Sequence, residues 1–380
     1  MVIKNLNVYS NKDRSYYNAD IKITDGIISE IGNGLSDECV IDRNGAYVLP
    51  GLIDLHTHGI GGHDWGSSDV DALHRMAKAY ASHGVTTVMP TLGTDTYENM
   101  IEATEKVNSF APSAVDANLC GMHWEGRYLN IKKKGAHVPE LIMPLCADEL
   151  DSDVLKACKH LHISAAYELD EDGSFSAKAR EIGATMGLAH TMANYKEAKL
   201  AEERGLSSYT HLYNAMPSLH HRDGGCIAAA FEGDCIAELI CDGIHVSPEM
   251  VSLTYRNLGV ERLSLVSDSL STTGVPDGEY VSLGLKVIVK DGACRLVDGT
   301  LAGSTITLDR AVRNLMEFCN IPLTEAIISA TESPARQVGM FDECGSIDVG
   351  KRADMLFLPN SSLGKTLNVE KIMVRGEFIN

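Results

Sequence analysis

Pro50-Gly51-Leu52-Ile53-Asp54-Leu55-His56-Thr57-His58-Gly59 joins a short apolar run to two histidines one residue apart. In an extended chain side chains repeat every second residue, so His56 and His58 point the same way and can converge on one ion. Alone the pair is weak, because surface or core histidines give the same letters. Its place is what counts, since it ends a strand where the texture of the chain changes.

Before this stretch, residues 2–49 read as short strands broken by turns, with period-two runs at Val2–Tyr9, Asp20–Ile23 and Ile27–Ile31 and an Asp25-Gly26 turn. The end of the chain has the same texture, at Ala353–Leu358 and Ile372–Phe378. Neither end alone offers enough strands to cover a core, so the two are expected to pair. The expected organisation is a small β-sandwich domain from 1–50 and 346–380 around a larger domain at 51–345.

Within 51–345 the rhythm becomes apolar strand, polar loop, amphipathic helix, and it repeats. Candidate strands run through Leu52–Leu55, Thr86–Met89, Leu119–Met122, Ile163–Tyr167, Met186–Ala189, Ser208–Thr210, Ala237–Cys241 and Leu263–Val266, eight in all. Helical patterns lie between them, such as Val70–His83 closing on Gly84 and Asn194–Arg204 closing on Gly205. Eight alternations suit a (β/α)₈ barrel, although an open doubly wound sheet has a similar local pattern. The polar residues break the tie. His56, His58, Glu125, His190, His211, His245 and Asp268 each fall at or just beyond the C-terminal end of a candidate strand, where barrel enzymes carry their chemistry. Beyond the eighth strand, Tyr280–Val297 reads as an inserted β-hairpin turning at Asp291-Gly292, and Gly303–Cys319 and Leu323–Val338 read as closing helices.

Length and composition agree. A chain of 380 residues with 44% hydrophobic and 22% charged residues suits a barrel plus a lesser unit. The net charge of −19 is spread along the chain and argues against nucleic-acid or anionic-membrane partners. The N-terminus lacks the features of a secretory signal, and no apolar stretch approaches the roughly 20 residues needed to span a bilayer. Ten cysteines without C-x-x-C pairs read as small buried apolar residues of a cytoplasmic protein.

Glu125, His190 and His211 supply an oxygen and two nitrogens from three further strand ends. With His56 and His58, this donor set suits one or two divalent ions such as Zn²⁺, Fe²⁺, Mn²⁺ or Co²⁺. Taken singly, each has a plain rival in a buried histidine bonded to backbone or a carboxylate at a helix start. Asp268 follows the eighth strand, where it is expected both to reach the metal and to take a proton from water acidified by it, since a metal lowers the pKa of water from about 16 toward 7. The rival reading is a helix cap.

The segments His123–Gly126, Asn130–His137, Thr210–Pro217, Asp242–Val246 and Leu301–Ser304 resemble the N-acetylglucosamine-6-phosphate deacetylases of the amidohydrolase superfamily, and the likeness covers nearly the whole chain. The H-L-Y-N-A-M and K-K-G-x-H runs are specific to that family. The resemblance implies an N-acetyl carbonyl polarised by the metal and His137. Asp268 would act as base toward water and then as acid toward the departing amine. It implies substrate contacts at Ala136, His137, Asn214, Ala215, His245 and Ser304, with Arg222 donated by a second subunit, hence a homodimer acting on a small amino-sugar phosphate. Charge-assisted bonds from arginine and histidine suit a phosphate dianion. Arg222 beside His220 and His221, His137, and the Lys132-Lys133-Lys134 run also read as ordinary surface or loop residues.

Three features depart from the family pattern. Arg127 stands where the family commonly has Pro, and is expected to lie near the sugar and reshape specificity. Arg222-Asp223-Gly224-Gly225 replaces an R-E-P-G-like run. His56 and His58 are retained, whereas some members replace them and use one ion. The rival functions are hydrolysis of N-acetylgalactosamine 6-phosphate or another amide, and a catalytically inactive scaffold.

Overall fold

The computed structural model describes residues 1–379. The barrel strands are Leu52–Thr57, Val85–Leu92, Met122–Glu125, Leu161–Ala165, Thr185–Leu188, Ser208–Tyr209, Ile236–Ile240 and Leu263–Val266, each hydrogen-bonded in parallel to the next. A parallel bridge between Thr57 and Ser269 brings the first and last strands together, with His58 N–H donating to the Ser269 carbonyl at 2.8 Å. Apolar residues on both faces of a strand suit a parallel sheet wrapped in helices. The expected helices form over Val70–Ser82 and Tyr195–Glu203, the second opened by an Asn194–Glu197 capping box.

The third strand lies further along than Leu119–Met122. Asn118–Leu119 pairs separately with Val85–Leu92, and the strand beside Leu161–Ala165 begins at Met122. Gly121 explains the break, because a Cβ there would stand 1.8 Å from the His160 carbonyl oxygen. The shift puts Glu125 inside the strand, as its last residue.

Both ends of the chain meet in one seven-stranded mixed sheet, ordered Glu377–Phe378, Lys371–Val374, Met355–Leu358, Val40–Pro50, Val2–Ser10, Ser15–Thr24 and Ile27–Gly32. Hydrogen bonding runs through all seven strands without dividing into two sheets. Val40–Pro50 joins the halves, parallel to Val2–Ser10 and antiparallel to Met355–Leu358. Its polar middle, Asp42-Arg43-Asn44, hid it from a reading by apolar alternation. Ile3, Leu6, Val8, Ile21, Val48, Met355 and Phe357 form the sheet's own core.

The insertion is larger than a hairpin. Gly278–Ser282, Leu285–Lys290, Ala293–Leu296 and Leu301–Ser304 make a four-stranded antiparallel sheet, with the Asp291-Gly292 turn between its second and third strands. A parallel bridge between Ser269 and Ser304 ties it to the barrel mouth. Leu308–Cys319 follows as one helix, whereas 323–337 breaks into Leu323–Ala326, a 3₁₀ turn at Ile327–Ala330 and Glu332–Gln337. Among the described residues no helix is long and apolar enough to cross a membrane, and the ten cysteines are all free.

Candidate metal centre and active site

Glu125 is the hub of the barrel mouth. One carboxylate oxygen, Oε1, lies 2.8 Å from His211 Nε2 and 3.2 Å from His190 Nε2. The other, Oε2, lies 3.0 Å from His58 Nε2 and 3.4 Å from His56 Nε2. Asp268 Oδ1 closes the second side, 3.4 Å from His58 Nε2 and 3.6 Å from His56 Nε2. All six side chains are buried. The structure thus joins six residues from five strand ends into two adjoining donor sets that share one carboxylate.

For two of the rings a hydrogen bond on the far side sets the tautomer. His56 Nδ1 faces Glu238 Oε2 at 3.1 Å and His190 Nδ1 faces the Lys133 carbonyl at 2.8 Å. An acceptor at Nδ1 places the hydrogen there and leaves Nε2 with a lone pair toward Glu125. His56 Nε2 has no hydrogen-bond partner among the described residues. Buried nitrogen lone pairs converging on a carboxylate are the donor set of a divalent transition metal, and these residues fit one.

Electrostatics favour positive charge here. Burial pushes the Glu125 carboxyl up, but the His56 charge and the close approach of the His190 and His211 rings outweigh it and hold it well below the usual carboxylate range. Burial likewise opposes charge on His58, but its bonds to Asp268 and Glu125 raise it to about 9. Without a cation, the Glu125 and Asp268 carboxylates favour the protonated forms of His56 and His58.

His137 behaves differently. Its Nδ1 accepts from Thr94 N–H at 3.3 Å and lies 2.7 Å from Thr94 Oγ1, so Nε2 carries the hydrogen. Burial, then the neighbouring His190, lowers it to about 3 and keeps it neutral. It lies close enough to Glu125 and His190 to be grouped with them as a ligand. The tautomer makes it a hydrogen-bond donor to the site instead.

Three residues of the candidate metal centre hold left-handed backbone: His190 at φ 43°, His211 at 33° and Asp268 at 48°. Such positions cost about 1–3 kcal/mol each and persist only where the surroundings over-determine them. Asp268 is clamped on both sides, its N–H donating to the His56 carbonyl at 2.8 Å and its carbonyl accepting from Ser304 N–H at 2.7 Å.

Above the centre is a cavity of about 360 Å³. Ala136, His137, Asn214, Ala215 and His245 line it, with Lys132 and Lys133. His245 Nδ1 is held by Asp242 Oδ2 at 2.6 Å. The opposite wall is apolar, built by Leu283, Leu285, Val287, Leu296 and Leu301 of the inserted sheet. Three residues lie elsewhere. Ser304 is buried behind Asp268, its hydroxyl donating to the Ser267 carbonyl. Arg222 sits on the surface beside His221, outside the cavity. Arg127, expected near the sugar, turns away from it: its guanidinium forks onto Glu149 at 3.1 and 3.0 Å and donates to the Asp95 carbonyl. Its positive φ of 53° at the strand end and the waiting carboxylate direct it there.

Two buried carboxylates escaped the sequence reading. Glu238 supports His56, and Asp54 accepts from the Ser267 and His56 N–H groups, with burial pushing it up to about 6. A charged residue inside an apolar strand was the available signal in both cases.

The amidohydrolase family model matches residues 47–379, and the chain belongs to that family. The chain is 33% identical to an N-acetylglucosamine-6-phosphate deacetylase of Vibrio furnissii, over 87% of this chain and 82% of that protein. It is 32% identical to an N-acetylgalactosamine-6-phosphate deacetylase of Escherichia coli O157:H7, over 94% of each. The crystal structure of the Thermotoga maritima N-acetylglucosamine-6-phosphate deacetylase superposes with a TM-score of 0.87 at 31% identity, covering 100% of this chain and 99% of that one. Within the amidohydrolases, the chain falls in the N-acetylglucosamine-6-phosphate deacetylase family.

Proposed function

We propose that the protein hydrolyses the N-acetyl group of an amino-sugar 6-phosphate, with N-acetyl-D-glucosamine 6-phosphate as the first candidate, releasing acetate and the free amine. The observation that carries this is the pairing of the Glu125 hub with a clamped carboxylate, Asp268, beneath a sugar-sized cavity. Glu125, His190 and His211 would hold one divalent ion, and His56, His58 and Asp268, with Glu125 shared, a second. Such an ion supplies Lewis acidity toward the amide carbonyl and lowers the pKa of water.

The chain's own residues do the rest. His137 donates Nε2–H to the amide oxygen, where negative charge develops. Asp268 takes the proton of the attacking water at its carboxylate and returns it to the nitrogen as the C–N bond breaks, so the amine leaves uncharged rather than as an amide anion. His245, oriented by Asp242, turns its other ring nitrogen to the cavity, and with Asn214 and the Ala215 backbone forms the phosphate pole. Arg222, on the surface of its own chain, would serve this pole across a dimer interface.

The epimeric N-acetylgalactosamine 6-phosphate is the second reading, favoured by the 94% coverage of the Escherichia coli relative. Acetate release from both phosphates and from the unphosphorylated sugars is the test. A higher kcat/KM on one phosphate selects the sugar, and equal rates without phosphate overturn the sugar-phosphate reading.

A further inference from the structure

We infer that Glu238 is the positioning residue of the His56–His58 half of the centre: by holding His56 through Nδ1, it controls whether a second ion binds there. This rests on the two-ion reading above. Glu238 stands on the seventh barrel strand, Ile236–Ile240, fully buried below the ligands. Its Oε2 faces His56 Nδ1 at 3.1 Å, and its Oε1 accepts from Gln337 Nε2 at 2.7 Å. Gln337 lies on the closing helix Glu332–Gln337, so the carboxylate is braced from outside the barrel.

The four imidazoles offered as metal ligands around Glu125 (His56, His58, His190 and His211) are not equivalent. His190 Nδ1 has a neutral carbonyl acceptor, and His58 Nδ1 and His211 Nδ1 have no hydrogen-bond partner among the described residues. Only His56 of these four is backed by a carboxylate. That partner fixes the ring orientation and makes Nε2 more basic, which strengthens a metal bond. The converse also holds. Among the described residues no lysine or arginine pairs with Glu238: apart from His56 its partners are the neutral Gln337 amide and the His211 backbone N–H at 3.4 Å, and His162 Nε2 is the one other ionisable group within 4 Å, at 3.9 Å. A buried carboxylate held only by neutral donors is costly, so positive charge reaching it through His56 stabilises both.

Glu238→Gln isolates this effect. Gln337 Oε1 is buried without a partner, so Gln337 can rotate its amide to receive the new NH₂ group and the packing is kept. The experiment loads the whole protein with Zn²⁺ alone, counts tightly bound ions per chain by elemental analysis, and measures each affinity by competition with a chromophoric chelator. The wild type should bind two ions. Glu238→Gln should keep one at wild-type affinity and bind the other about 10–100-fold more weakly. Two ions in both proteins at unchanged affinities would overturn the role of Glu238 and leave the two-ion reading standing. One ion in the wild type at saturation would remove both. If Glu238→Gln does not fold, Gln337→Ala, which keeps the carboxylate and removes its brace, should weaken the same ion, and unchanged binding there counts against the proposal.

Discussion

Ser304 N–H donates to the Asp268 carbonyl at 2.7 Å, so the last strand of the inserted sheet holds the backbone of the residue that faces Glu125. The bond explains how Asp268 keeps a left-handed conformation at the barrel mouth. It also makes the insertion part of the site's frame. Ser304 therefore acts behind the cavity, and Ser304→Ala separates that role from substrate contact. Losing its hydroxyl leaves the Ser267 carbonyl unsatisfied, at about 1–3 kcal/mol. Thermal unfolding should shift down while KM stays within about twofold, as a neutral change away from substrate binding requires. A large rise in KM with unchanged stability would place the hydroxyl on the substrate.

Asp268→Asn keeps the shape of the clamp and removes the proposed proton acceptor. General acid–base groups contribute about 10²–10⁴-fold, and kcat should fall by at least the lower figure. At least one tightly bound ion should remain, because Glu125, His190 and His211 are untouched. Acetate release with parallel metal analysis checks both statements. Substantial residual turnover would show that another group is the base.

Removing the metal should abolish activity and lower thermal stability together. Glu125 is buried among imidazoles, and an ion that binds only the folded state stabilises it in proportion to RT ln(1 + [L]/Kd). Dialysis against a chelator followed by a melting curve, then re-addition of Zn²⁺, Fe²⁺, Mn²⁺ or Co²⁺ singly, measures both effects. An unchanged melting curve in protein verified as metal-free would refute the coupling.

Much of this centre was legible in the chain because each candidate ligand sits where a strand meets a loop. His56 and His58 show the period of two, and Glu125, His190, His211 and Asp268 recur with the strand rhythm. Glu238 and Asp54 were not legible in that way. They lie within apolar strands, and their inward direction follows from barrel closure, which brings His56 and Ser267 to them. The apolar cavity wall was equally hidden. Leu283, Leu285, Leu296 and Leu301 look like ordinary sheet residues until the four-stranded insertion folds over the mouth.

Arg127 shows how a motif departure misleads when its neighbours are unknown. Its guanidinium is engaged by Glu149, which also accepts from the Tyr128 hydroxyl at 2.5 Å. Arg127→Ala should destabilise the loop by about 1–3 kcal/mol, since it strands a partly buried carboxylate. The ratio of kcat/KM between the two epimeric sugar phosphates should not change. A shift of more than about tenfold, or 1.4 kcal/mol in transition-state discrimination, would return Arg127 to the specificity pocket.

Gly135 accounts for the glycine in the Lys132–His137 run. Its φ is 55°, and a Cβ built on it would stand 2.9 Å from His190 Cε1. Gly135→Ala therefore strains the backbone and presses on a candidate ligand ring beside the Nδ1 that the Lys133 carbonyl holds at 2.8 Å. The ring can yield only by turning Nε2 away from Glu125. A displacement of this kind weakens metal binding before it unfolds the protein, because the loop lies outside the barrel core. Metal affinity should drop by about 10-fold or more, the range seen when a ligand loses its orientation. The melting curve of the metal-free variant should stay within a few degrees of the metal-free wild type. Wild-type affinity in Gly135→Ala would mean that the loop moves as a whole and that His190 is held by Glu125 and His211 alone.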